Sequence, residues 1–213
     1  MEYNKAEFAH FLKENNVIKF GNFILKSGKK SKYFLNFGDI SSGSALLLLG
    51  KFYAQKIKEE IGFDSFDVIL GPSYKGIPLA LATSIAISEL FSVNKPFVFD
   101  RKEAKTHGEG SNENVSKLFV GHKLNGNERL LMLDDVLTTG GTKLELMDKM
   151  NSLFNGLSFP AIIIAVDRKE KDEQGLTALE KFEKDTNIKV ISITDIFDIC
   201  AACEISQEQL LSS

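Results

Sequence analysis

One run limits what this chain can become more than any other: Leu130-Leu131-Met132-Leu133-Asp134-Asp135-Val136-Leu137-Thr138-Thr139-Gly140-Gly141-Thr142. An apolar stretch suited to a buried strand meets two adjacent carboxylates, a loop of threonines and glycines follows, and Lys143-Leu144-Glu145-Leu146-Met147 starts a helical pattern. Side chains alternate along a strand, so Asp134 and Asp135 point to different sides of its end. The glycines let backbone N–H groups turn toward a ligand, and the nascent helix N-terminus adds partial positive charge. Carboxylates beside an anion cradle suit a molecule with both hydroxyls and a phosphate, such as a sugar phosphate. The run is not a Walker A loop, because no Gly-Lys-Ser/Thr ends it, and it lacks the G-x-G-x-x-G fingerprint. An ordinary strand-to-helix turn with an acidic cap is the competing reading.

The rest of the chain repeats the strand-then-helix order. Residues 3–15 carry Phe8, Phe11 and Leu12 at helical spacing. Phe23-Ile24-Leu25 and Tyr33-Phe34-Leu35-Asn36-Phe37 read as strands joined by the turn-rich Lys26-Ser27-Gly28-Lys29-Lys30-Ser31. A helix is predicted over 44–61, a short buried strand at Val68-Ile69-Leu70, a helix over 78–91 and a strand at Phe97-Val98-Phe99. A long polar stretch runs from Arg101 to Ser116. Beyond the opening run, Ala161-Ile162-Ile163-Ile164-Ala165-Val166 and Val190-Ile191-Ser192-Ile193 are strands, with a helix over 176–184 between them. Continuous apolar strands alternating with helices imply a parallel sheet covered on both faces. With 213 residues and no internal repeat, one α/β domain is expected, with a partial hood over residues 1–40 and a core over about 60–200.

Hydrophobic residues make up 43% of the chain and charged residues 26%, as in a soluble globular protein. The net charge of −3 argues against general nucleic-acid binding, which needs a broad basic face. The longest apolar run, Leu46-Leu47-Leu48-Leu49, is too short to span a bilayer, and the N-terminus shows no secretory pattern. Cys200 and Cys203 form a lone C-x-x-C in a C-terminal helical pattern, which cannot complete a tetrahedral zinc site and reads as core packing. With no disulfide framework, the cytoplasm is the expected compartment.

Four further segments carry chemistry; three follow a strand and one is a hairpin. Gly71-Pro72-Ser73-Tyr74-Lys75-Gly76-Ile77-Pro78 is a second glycine-rich strand-to-helix loop that can hold an anion; a tight turn with a solvated lysine is its plainer reading. Asp100-Arg101-Lys102-Glu103-Ala104-Lys105-Thr106-His107-Gly108-Glu109-Gly110 gathers three cations and a histidine ahead of hinge-like glycines, although such charge clusters commonly face water. Phe23 to Asn36 reads as a hairpin with lysines guarding its turn. Val166-Asp167-Arg168-Lys169-Glu170 ends a strand with a guanidinium whose planar fork suits a carboxylate, unless it merely pairs with Glu170.

The opening run resembles the 5-phosphoribosyl-1-pyrophosphate (PRPP) motif of the type I phosphoribosyltransferases. The segment from Arg101 to Gly110 is similar to the catalytic loop of the orotate-specific members, whose K-E-x-K-x-H-G-E-G pattern it carries. The likeness spans about residues 20–170 and keeps motif order. It implies the type I phosphoribosyltransferase fold, a central mainly parallel sheet flanked by helices with a small N-terminal hood. It also implies Mg²⁺-dependent transfer of the 5-phosphoribosyl group from PRPP to N1 of orotate, giving orotidine 5-phosphate and pyrophosphate in de novo pyrimidine (UMP) synthesis. By resemblance, Asp134, Asp135, Val136, Leu137, Thr138, Thr139, Gly140, Gly141 and Thr142 hold the ribose 5-phosphate of PRPP, and Tyr74 and Lys75 its pyrophosphate. Lys26 also contacts PRPP, while Arg101, Lys102, Lys105 and His107 close over it. Asp134, Asp135, Arg101, Lys102, Lys105 and His107 form the implied catalytic set. Phe34, Leu35, Thr138 and Arg168 meet orotate. The metal is carried mainly through PRPP rather than by protein side chains alone. A homodimer is implied, with lid residues acting in the partner's site.

Two rivals share the opening run. A purine or uracil phosphoribosyltransferase would not need Arg168, and a PRPP-sensing regulator should carry a DNA-binding helix pair or basic face. A fused decarboxylase barrel has no space within 213 residues.

Overall fold

In the computed structural model, which describes residues 4–24, 28, 30–101 and 118–206, the chain opens with helix α1 (Lys5–Glu14). The Asn4 side chain caps it by accepting the Ala6 N–H, and its buried stripe is Phe8, Ala9, Phe11 and Leu12. An antiparallel hairpin of β1 (Ile18–Ile24) and β2 (Lys30–Leu35) follows. The Asn36 side chain accepts the Gly38 N–H and starts a 3-10 turn over Phe37–Asp39, so the strand stops at Leu35 and Phe37 turns into the core. This corrects the predicted strand through Phe37, and β1 begins at Ile18 rather than Phe23.

Helix α2 (Gly43–Glu60) is capped by Ser42 and leads to β3 (Val68–Leu70), α3 (Gly76–Phe91) and β4 (Phe97–Asp100). Next come β5 (Phe119–Gly121), β6 (Leu130–Val136), α4 (Gly141–Leu153) and β7 (Ala161–Asp167). The chain continues through α5 (Ala178–Thr186), β8 (Lys189–Asp195) and α6 (Ile196–Ala202). Thr177 and Glu180 form a reciprocal capping box at α5. Asp195 ends β8 and caps α6 through the N–H groups of Phe197 and Asp198.

The six-stranded sheet runs in the order β5-β4-β3-β6-β7-β8, parallel throughout except for the antiparallel β4–β5 pair. Edge strand β5 is the element that periodicity does not reveal, since three residues are too few to show alternation. Inner strands show the pattern clearly. Leu131, Leu133, Ile163 and Ile191 face a core shared with α1, α2, α3 and α6, whereas Leu130, Met132, Ile162 and Val190 face one shared with α4 and α5. Cys200 and Cys203 are buried free thiols in the first core. No helix among the described residues is long and apolar enough to cross a membrane.

The sheet positions the site through one topological detail. From β3 the chain moves outward to β4, whereas β6, β7 and β8 lie in succession on the other side of β3. Connections leaving adjacent strands toward opposite faces open a crevice at their carboxyl ends. The loops after β3 and β6 both empty into it.

Candidate active site

The floor of the crevice is the end of β6. From below, the buried Tyr53 hydroxyl of α2 donates to the Asp134 carbonyl at 2.7 Å. Asp134 turns to the α4 side, where its Oδ2 lies 2.5 Å from Lys143 Nζ. Asp135 turns to the α3 side, where its Oδ2 accepts from Lys75 Nζ at 2.7 Å. Strand alternation therefore separates the two acids as predicted. Each second oxygen accepts a backbone N–H, Asp135 N to Asp134 Oδ1 at 2.9 Å and Val136 N to Asp135 Oδ1 at 2.8 Å. Burial pushes the Asp134 carboxyl above the ordinary carboxylate range; Lys143 pulls it down, and the Asp135 charge raises it again.

The loop after β6 wraps over this floor. The Leu137 side chain is buried in the core beneath, so Leu137 has only its backbone to offer a ligand. Thr138, Thr139 and Thr142 are exposed. Gly140 has φ of +75°, and a Cβ there would run into the Phe182 ring of α5, so both conformation and space call for glycine. Lys143 and Leu144 N–H both reach the Gly140 carbonyl at 3.0 Å. Among the described residues, no protein acceptor takes the N–H of Thr138, Thr139, Gly140 or Thr142. A set of unpaired donors at a helix start attracts an anion.

The loop after β3 presses against β6. A Cβ on Gly76 would meet the Pro72 ring and the Leu133 carbonyl, so only glycine lets the two strand ends approach this closely. Ser73 N–H donates to Asp100 Oδ1 at 2.7 Å and its hydroxyl to the Asp100 carbonyl, which ties the loop to the end of β4; the Ser73–Tyr74 peptide is cis. Tyr74 is exposed. Arg101 follows β4, its N–H bonded to the Leu118 carbonyl at 2.7 Å. Its Nε is buried with no hydrogen-bond partner among the described residues.

At the end of β7, Arg168 stacks on the Tyr33 ring, with its guanidinium carbon 4.8 Å from the centroid. Nε and Nη2 donate to Glu170 Oε1 at 2.7 and 2.5 Å, and the Tyr33 hydroxyl donates to the same oxygen at 3.3 Å. Lys169 has φ of +53°, which brings the chain back so that Glu170 reaches Arg168. Burial raises the Tyr33 phenol above its ordinary value, against the pull of Arg168. Leu35 lies on the Tyr33 face of the hairpin, partly buried on the core. Phe34 lies on the other face, 5.8 Å from the Phe23 ring.

Thus Tyr74, Lys75, Arg101, Asp134–Thr142 and Arg168 all lie at the carboxyl edge of the sheet, with Phe34 and Leu35 on the hairpin beside it. Lys26, Lys102, Lys105 and His107 lie outside the described residues. Sequence reading missed Tyr33, Tyr53 and Lys143. Tyr33 had a signal, being two positions from Leu35 and hence on its face. Lys143 had one too, a cation in a helix's first turn where the dipole favours anions. Tyr53 had none.

The phosphoribosyl transferase domain family matches residues 37–174. The orotate phosphoribosyltransferase of Actinobacillus pleuropneumoniae serotype 5b (strain L20) is 43% identical over 208 residues, spanning 98% of this chain and 92% of that one. That of Aliivibrio fischeri (strain MJ11) is 40% identical over 204 residues, 96% of this chain and 90% of that one. The crystal structure of orotate phosphoribosyltransferase from Francisella tularensis superposes with a TM-score of 0.78 at 32% identity, covering 95% of this chain and 93% of the other. A family match over five of the six sheet strands and both crevice loops, with relatives alike over nearly the whole length, leads to one assignment: the chain belongs to the orotate phosphoribosyltransferases.

Proposed function

We propose that the crevice transfers the 5-phosphoribosyl group of PRPP to N1 of orotate, releasing pyrophosphate and orotidine 5-phosphate in pyrimidine (UMP) synthesis. The observation that carries this reading is the convergence, at one reversal of strand order, of a loop whose N–H groups have no acceptor among the described residues, two carboxylates and a strand-end guanidinium. In this reading the N–H groups and hydroxyls of residues 138–142 take the 5-phosphate, while the backbone of Val136 and Leu137 shapes the cradle. Asp134 and Asp135 accept from the ribose hydroxyls. Each already spends one oxygen on a lysine and shares the other with a backbone N–H, which leaves lone pairs for hydroxyls but not a full ligand set for a divalent ion. The donor set therefore fits a metal that arrives with the substrate. Bound mainly through the oxygens of PRPP, Mg²⁺ supplies neutralisation of the charge on the departing pyrophosphate.

In this reading Tyr74 and Lys75 meet the pyrophosphate, and Arg101 approaches from the end of β4. Lys26, Lys102, Lys105 and His107 complete the cationic enclosure in this proposal, by resemblance. A donor placed where charge develops is typically worth roughly 10²–10³ in rate. Arg168 receives the orotate carboxylate in place of Glu170, an exchange of one carboxylate for another on a fixed guanidinium. Tyr33 keeps that guanidinium flat, Phe34, Leu35 and Thr138 border the base, and the N-terminal hairpin forms the hood. Orotate ionises its ring readily, so no strong general base is required. We further propose a homodimer with lid residues acting across subunits. Buried free thiols suit a reducing compartment, the cytoplasm.

Incubation with PRPP, Mg²⁺ and a panel of bases tests the reaction. Loss of orotate absorbance with matching pyrophosphate release is the expected result. Turnover of uracil or a purine with orotate untouched would overturn the choice of base.

A further inference from the structure

Lysine is among the residues least often buried, yet the Lys143 side chain is only 5% exposed. It is the third residue of α4, in the first turn, where the helix dipole disfavours a cation. Desolvation, lost rotamer freedom and the dipole all oppose this placement. Two contacts offset them, the Asp134 carboxylate at 2.5 Å and the Val136 carbonyl at 3.2 Å. Both belong to the floor of the PRPP crevice.

We propose that Lys143 is a positioning residue that holds the Asp134 carboxylate as a fixed acceptor for the ribose hydroxyls of PRPP without itself touching substrate. The proposal rests on the PRPP reading above. Four groups frame Asp134. Tyr53 of α2 fixes its carbonyl, Asp135 stands on the opposite side of the strand with Lys75 from the loop after β3, and Lys143 approaches from α4. Burial and the neighbouring Asp135 charge both favour a proton on Asp134, and Lys143 opposes it. A protonated carboxyl becomes a donor, which suits a hydroxyl clamp less well than an ionised acceptor. The Val136 carbonyl is the ammonium's second acceptor and helps hold it against Asp134. The low exposure of Lys143 keeps its ammonium away from a ligand in the crevice, so its influence passes through Asp134.

The test compares the parent, Lys143→Met, Asp134→Asn and the double variant. PRPP affinity is read by calorimetry with Mg²⁺ present, and KM for each substrate by steady-state kinetics. Lys143→Met is expected to weaken PRPP by at least about tenfold while KM for orotate stays within about twofold, a split that a general loss of packing would not produce. In the Asp134→Asn background the same substitution should change PRPP affinity by less than about twofold, because its partner is gone. Equal PRPP affinity of the parent and Lys143→Met overturns the proposal. A further loss of about tenfold on adding Lys143→Met to Asp134→Asn also overturns it, because Lys143 would then act on PRPP independently of Asp134. The double variant leaves neither buried charge unpaired, so this second comparison stands even if Lys143→Met alone fails to fold. A parent that turns over no PRPP with orotate would instead sink the functional reading.

Discussion

Arg168 shows how much a single residue owes to its surroundings. Its guanidinium is held between the Tyr33 ring and Glu170, so the fork is oriented before any ligand arrives. Hydrogen bonds to charged groups contribute about 1.5–3 kcal/mol, so Arg168→Gln is expected to raise KM for orotate by roughly 10–100-fold. KM for PRPP should stay within about threefold in the same steady-state assays, because Arg168 lies outside the phosphate cradle. A second residue-scale expectation concerns pH. Burial pushes the Cys200 thiol from 9.0 up to about 11, with Cys203 adding to the shift. A thiol raised in the fold contributes stability that is complete below the unfolded value and is lost as pH rises through the folded one. That window runs from 9.0 to about 11. At pH 8 alkylation of Cys200 in the native protein should be slower than in urea by roughly 100-fold or more, as burial adds to the thiolate deficit. Equal rates in the two states would contradict this. The placement of Asp134, Asp135 and Arg168 at strand ends was legible because residue type and strand pattern are local facts. Tyr33 and Lys143 were not read, since their roles depend on which side chains they meet.

Among the elements, those with a clear period were legible to within a few residues. Helix α3, mostly apolar, and strand β3, wholly apolar, are examples. Edge strand β5 was not, because three residues backed by a neighbour's hydrogen bonds leave no pattern of their own. Loop chemistry could be read where glycine is mandatory. Gly140 combines φ of +75° with the Phe182 ring in the space a Cβ would take. A left-handed conformation costs a non-glycine residue about 1–2 kcal/mol, and the ring must also shift. Gly140→Ala is therefore expected to lower the melting temperature and raise KM for PRPP, measured by calorimetry and kinetics. Adding Phe182→Leu should recover part of the stability by making room for the methyl group. Unchanged PRPP binding in Gly140→Ala would show that this loop does not hold the phosphate.

For the whole molecule, the proposed lid exchange makes a subunit-mixing prediction. Lys105→Ala and Asp135→Asn should each be nearly inactive alone. If Lys105 serves the partner's site, mixed dimers contain one site with both residues intact, and random pairing returns roughly a quarter of parental activity. No recovery after subunit exchange would place Lys105 in its own subunit's site or leave the chain monomeric. The sequence by itself determined the strand–helix alternation, the two glycine-rich strand ends, the adjacent carboxylates and the strand-end guanidinium. Each follows from side-chain period, turn chemistry and charge within a few neighbouring residues. Only the tertiary structure decided that β3 and β6 pair, which brings Lys75 to Asp135 across 60 positions of chain. It alone decided that the hairpin lays Tyr33 on Arg168, 135 positions away, and that the first-turn lysine of α4 turns inward to Asp134. Local pattern sets which face of an element is apolar, whereas the choice of neighbour depends on how all the faces pack at once.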